Sequence, residues 1–197
     1  MRYDAAHKAR TRATILAEAA RAIRADGPHR LGVADLMARA GLTHGAFYAH
    51  FATRDELIAE AVSASFESGA ETCRGIMATL PPREALAAFV RAYLSRAHRD
   101  MPGTGCPLPA LAADLPRLPT PARAGFATGL ARVRGRIEML VASAGLADPE
   151  AVASSILAEM VGAVALARAL PNPAASDAVL KRSRDAIMAR LGLEAHA

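Results

Sequence analysis

Apolar residues along this chain recur at spacings of three and four and almost nowhere alternate, a pattern that predicts helices throughout. Over residues 7–25, Ile15, Leu16, Ala19, Ala22 and Ile23 form one stripe, with Arg12, Glu18, Arg21 and Arg24 between them. Gly27-Pro28 stops that helix. Residues 33–40 predict a short second helix with Leu36 and Met37 as its apolar positions, closed by Gly41. Thr43 caps a third, reaching about residue 49. Thr53-Arg54-Asp55-Glu56 reads as a capping box that opens a fourth helix, carried by Leu57, Ile58, Ala61, Val62 and Phe66 to about residue 78.

Further helices are predicted over residues 84–99, 110–115, 120–144, 148–170 and 176–191, separated by Gly and Pro punctuation. The fold class expected is all-α: an N-terminal three-helix unit over residues 1–54 and a larger helical unit over 55–197. No flexible linker separates the two, so the boundary falls at or within the fourth helix.

Composition supports this class: 52% of residues are hydrophobic, only 4% are aromatic, and tryptophan is absent. Two cysteines, Cys73 and Cys106, exclude a disulfide scaffold and a four-cysteine metal site. No metal and no cofactor is predicted. The loop over residues 102–109 begins as G-x-G but lacks a third glycine and a preceding strand, so a dinucleotide site is not supported. No apolar run approaches the ~20 residues of a membrane span, and the first 24 residues carry charge throughout without an apolar signal core. A cytoplasmic protein without membrane contact is the expectation.

Charge divides the chain in two. The net charge is +5, and residues 1–54 hold nine basic against four acidic side chains, which accounts for all of it. A basic module joined to a neutral one points to a polyanion. On charge alone, a basic solvated surface explains it equally well.

Residues 33–51 change that balance. V-A-D-L-M-A-R-A-G-L-T-H-G-A-F-Y-A-H-F is helix, glycine turn, helix, the layout of a helix-turn-helix whose second helix enters the DNA major groove. The stretch G-L-T-H-G-A-F-Y-A-H-F-A-T-R-D-E-L closely resembles the signature of the TetR family of bacterial transcriptional regulators. The resemblance covers roughly residues 10–62: Thr43 capping the recognition helix, Gly45, Phe47-Tyr48, His50-Phe51, then Thr53-Arg54 through Leu57. The chain departs from the family at Gly32, where Ser or Thr often caps the second helix, and at Met37, where Ala is usual.

The resemblance implies a ligand-responsive transcriptional regulator, a repressor released from a near-palindromic operator by a small-molecule effector. Thr43, Tyr48 and His50 would contact DNA phosphates, His44 would face base edges, and Arg54 would sit near a phosphate. Phe47 and Phe51 would be core. The family also implies a homodimer through the last two helices, about residues 148–191, and an effector pocket between the middle helices. Phe66, Met77, Phe89, Tyr93, Cys106, Phe126, Leu130 and Met139 are the candidate walls, although apolar stripes at helical spacing also describe plain core. No catalytic residues are implied. The alternative is a thiol-dependent enzyme or binding protein that uses Cys106 with His98 as base.

Overall fold

A computed structural model describes residues 5–67, 75 and 79–193. Its helices are α1 (Ala5–Asp26), α2 (Val33–Arg39), a 3₁₀ recognition segment (His44–Ala49), α3 (Arg54–Ser65), α4 (Pro82–Tyr93), α5 (Arg96–Asp100), α6 (Leu108–Leu111), α7 (Thr120–Ser143), α8 (Pro149–Ala169) and α9 (Pro173–Arg190). Short 3₁₀ turns cover Pro28–Arg30 and Leu115–Arg117, and no strand occurs among the described residues.

Two predicted helices are shorter than their periodicity suggests. The helix opened by Thr53 ends at Ser65 instead of running on to residue 78. Arg24 donates to the Ser65 carbonyl at 2.8 Å and captures an acceptor that a longer helix needs for its own ladder. The helix expected over 84–99 breaks at Leu94, because Ser95 caps a new one by accepting the His98 N–H at 3.1 Å. Conversely, α9 begins three residues early. Pro173 takes its first position, and the Asn172 side chain accepts the Ala175 N–H.

The bundle is built around α3 and α7. Helix α1 packs on α3, and α3 packs in turn on α7. A Cβ at Gly129 would run into the Phe66 ring and one at Gly125 into the Ser63 hydroxyl, so α7 crosses α3 at near-backbone distance. The expected division after residue 54 thus meets a helix that belongs to both units by contact. Helices α7 and α8 form a hairpin through Gly145, and α9 returns along α8 and against α4.

Helix α8 is the most apolar. Its mean hydropathy reaches 1.6 over an 18-residue window, long and apolar enough by composition to cross a membrane, and it instead packs on α6, α7 and α9. Ala153, Ile156, Met160, Ala163, Val164 and Ala167 face the core, yet only 39% of that window is buried. The outward positions Ala151, Ser155, Leu166 and Ala169 are exposed and uncharged, and Glu150 in the first turn is exposed and acidic.

Candidate nucleic-acid interface

The turn between α2 and the recognition segment is fixed by backbone chemistry. Gly41 has φ +72°, a left-handed conformation that costs glycine nothing. Its N–H donates to the Ala38 carbonyl at 3.0 Å and the Leu42 N–H to that of Met37 at 2.8 Å, the bond pair of a Schellman stop. Gly32 caps α2 without any side-chain bond, and Met37 is fully buried. Beyond the segment, the Thr53 hydroxyl accepts the Glu56 N–H at 3.0 Å, so the predicted cap forms, whereas the Glu56 side chain reaches back past the cap and accepts the Ala52 N–H at 2.7 Å in place of the Thr53 N–H that closes a capping box.

The recognition segment is two-faced. Phe47 and Phe51 are 1% exposed and stack with ring centroids 5.7 Å apart. Thr43, His44, Gly45, Tyr48 and Ala49 are exposed on the other side, Tyr48 at 67%. The Tyr48 ring stands edge-on to Phe47 at 5.2 Å and to His44 at 6.2 Å, which orients its hydroxyl away from the core. Thr43 makes no side-chain cap bond, leaving its hydroxyl to solvent. A Cβ at Gly45 would meet nothing within 4 Å, so protein packing does not require the glycine.

His50 is half-buried. Its Nδ1 is enclosed without a hydrogen-bond partner, and burial together with the nearby Lys8 and Arg12 lowers its pKa from the ordinary histidine value. The shift favours the neutral imidazole. Its carbonyl accepts from Arg12 Nε at 3.3 Å. The same guanidinium pairs with Glu60 at 2.6 Å and lies 4.5 Å over the Phe51 ring, so Arg12 ties α1, the end of the recognition segment and α3 together.

Arg54 differs most from its expected role. Its Nε donates to the Leu31 carbonyl at 3.0 Å, and Nη2 donates to Pro28 at 2.7 Å and to His29 at 3.4 Å. The guanidinium closes the loop between α1 and α2 from within and does not project as a free cation. Periodicity could not reveal the buried Arg24 or the bridging Arg12. The one signal for Arg24 is that it follows Ala22 and Ile23 in the buried stripe. Lys8, Arg10, Arg30 and Arg39 are exposed and supply the basic surface.

The expected effector walls separate into groups. Phe126 and Leu130 line a cavity of about 550 Å³ between α6, α7 and α8. Phe66 is buried edge-on to Phe126 at 5.6 Å. Phe89 and Tyr93 pair at 6.0 Å on α4, and Tyr93 meets His98 at 4.6 Å. Met139 is 54% exposed and does not wall the cavity, a correction to its expected place. Met77 lies outside the described residues.

The thiol alternative finds no base. His98 Nε2 accepts the Cys106 backbone N–H at 3.0 Å, so the ring proton is on Nδ1, which donates to the Tyr93 carbonyl at 2.7 Å. Both nitrogens are engaged by backbone, and burial lowers the His98 pKa. Burial pushes the Cys106 thiol up, and Arg99 is committed to Asp100 and Asp177. The thiol is therefore not activated.

Comparison with known proteins agrees with this layout. The model of bacterial regulatory proteins of the tetR family matches residues 15–61, and that of the tetracyclin repressor-like C-terminal domain matches residues 82–182. No curated protein sequence matches significantly. Among solved structures, a TetR transcriptional regulator from Chloroflexus aurantiacus is 23% identical with a TM-score of 0.79, covering 94% of this chain and 96% of that one. The reduced form of NemR from E. coli is 17% identical with a TM-score of 0.78, covering 90% and 95%. A TetR-family regulator from Cytophaga hutchinsonii is 21% identical with a TM-score of 0.78, covering 96% and 98%. These similarities establish the fold.

Proposed function

This chain belongs to the TetR family of bacterial transcriptional regulators, and from that premise we propose that it works in the cytoplasm as a homodimeric repressor. It binds a near-palindromic operator and leaves it when a small molecule occupies the C-terminal helices. The observation that carries the DNA-binding part is the two-faced recognition segment. Phe47 and Phe51 anchor it, while Thr43, His44, Tyr48 and the bare backbone at Gly45 are left facing out. Thr43, Tyr48 and His50 are assigned to phosphate contact, which positions the protein, and His44 to base edges, which specify sequence. Gly45 lets a phosphate approach the backbone. Arg54 joins the interface only by releasing its carbonyls, and we assign it to holding the loop.

Dimerisation is supported by α8. An apolar helix with more than half of its richest window unburied needs a cover, since its charges are limited to Glu150 in the first turn, Glu159 paired with Arg190, and Arg168 bonded to the His98 and Arg99 carbonyls. The outward side of α9 carries Lys181, Arg182, Asp185 and Arg190, so α8 supplies the apolar centre of the interface. One short recognition segment gains affinity from a twofold partner. Release by effector is supported by the α3–α7 crossing, because the Ser63 hydroxyl and the Phe66 ring lie directly on the glycine backbone of α7, so a shift of α7 presses on the end of α3.

The test is selection of bound duplexes from random DNA by the purified protein, with light scattering to give its mass. Enrichment of two inverted half-sites, separated by about one helical turn, by a protein of twice the chain mass is the expected result. A monomer at micromolar concentration, or no enriched sequence, refutes the proposal.

A further inference from the structure

The cavity between α6, α7 and α8 is graded from one end to the other. It measures about 550 Å³, within the range of small-molecule sites. Helices α7 and α8 run antiparallel through Gly145. Of the residues that line the cavity, Arg134 on α7 and Ser154 on α8 are the nearest to that turn on their helices. They therefore share one end. Phe126 and Val161 lie toward the other, and Leu108 of α6 also lines the space. No acidic side chain lines the space. Arg134 and the Ser154 hydroxyl form no hydrogen bond or ion pair among the described residues, so a cation and a neutral hydrogen-bonding group stand ready at one end of an otherwise aliphatic and aromatic trough.

We propose that this cavity takes an amphipathic monoanion, an apolar body ending in a carboxylate or a chemically similar head, with the head at Arg134 and Ser154 and the body along Leu130 toward Phe126. An apolar body gains from covering Leu108, Leu130 and Val161. A carboxylate is the head that a planar guanidinium grips with two parallel bonds. A cationic head is repelled, and an uncharged one leaves Arg134 unmatched. The inference rests on the reading that an effector acts through the C-terminal helices, and it specifies the chemical class of that effector.

Calorimetric titration of the full chain, without DNA, with sodium decanoate, decanol and decyltrimethylammonium below their micellar concentrations tests it. Decanoate is expected to bind about fivefold or more tightly than decanol, with the ammonium weakest. Arg134→Gln should bring decanoate and decanol to within about twofold of each other at an unchanged melting temperature. Ala127→Trp, which fills the trough from an exposed position, should abolish all binding. Equal affinity for acid and alcohol, or decanoate affinity that survives Arg134→Gln, overturns the proposal. So does failure of every probe while Ala158→Glu splits a dimer, since the trough then seats a partner helix. Because the titration contains no DNA, its outcome is separate from that of the duplex selection. A protein that selects an operator but ignores decanoate keeps the regulator reading and loses this one, and the reverse result loses the regulator reading alone.

Discussion

Arg54 offers the sharpest test, because the family resemblance and the structure give it different work. The resemblance puts the side chain near a phosphate, whereas its guanidinium donates to the carbonyls of Pro28, His29 and Leu31. Hydrogen bonds from a charged donor contribute roughly 1.5–3 kcal/mol each when buried. Here the site is partly open, the His29 bond is long, and water replaces part of what is lost. Arg54→Met, which keeps the stem and removes the donors, is therefore expected to cost about 2 kcal/mol. For a chain of this size that lowers the melting temperature by roughly 4–8 °C. Urea titration at fixed protein concentration measures the loss. Operator affinity measured against salt gives the second readout. A phosphate contact would reduce the logarithmic salt slope by about 0.9, and a side chain that only holds the loop leaves the slope unchanged. A variant as stable as the wild type with a slope lower by about 0.9 refutes the assignment.

Tyr48→Ala should weaken binding to all duplexes by a similar factor, about tenfold, without changing their order or the melting temperature, because the ring is 67% exposed; an altered consensus in a repeat selection would reverse its role. Gly129→Ala should destabilise by about 1–3 kcal/mol, since its new methyl collides with the Phe66 ring, and Phe66→Leu in the same chain should recover part of that in urea titrations; a neutral Gly129→Ala would mean the crossing is loose. His50 and His98 both titrate below the ordinary histidine value of 6.5. The unfolded chain then takes up protons first, so their contribution is complete above about pH 6.5 and is lost as pH falls through the lower folded values. Urea midpoints should drop between pH 7.5 and 5, and His98→Asn should make that decline shallower; an unchanged profile would remove His98 from it.

What the sequence disclosed was whatever is local. The stop at Gly41 and the cap at Thr53 each close within five residues, so a short window contains donor, acceptor and conformational need together. The two-faced recognition segment was legible for the same reason, with Phe47 and Phe51 four apart. Arginine destinations were not. Arg12, Arg24 and Arg54 reach acceptors 38, 41 and 23 residues away, and periodicity says nothing about where a long flexible side chain ends. That gap also hid the end of α3, because the Ser65 carbonyl is claimed from α1. Among the expected effector walls, the apolar stripe identified a face but not its neighbour, which is why Phe126 and Leu130 meet a cavity while Tyr93 joins His98.

The glycine crossing gives α3 the mechanics of a stiff lever. Its fulcrum is at Ser63 and Phe66, whose hydroxyl and ring rest directly on the Gly125 and Gly129 backbone of α7 with no α7 side chain between them. Its far end, Arg54, lies nine residues from Ser63, roughly 14 Å along the axis at 1.5 Å per residue. A rotation of about 5° at the fulcrum moves that end by roughly 1.2 Å. The end is bonded to the loop leading into α2, so the displacement reaches the recognition segment with little loss. Enlarging either glycine would push the two helices apart at this point, and under the proposed release by a small molecule such a chain would bind that molecule with a weakened response at the recognition segment.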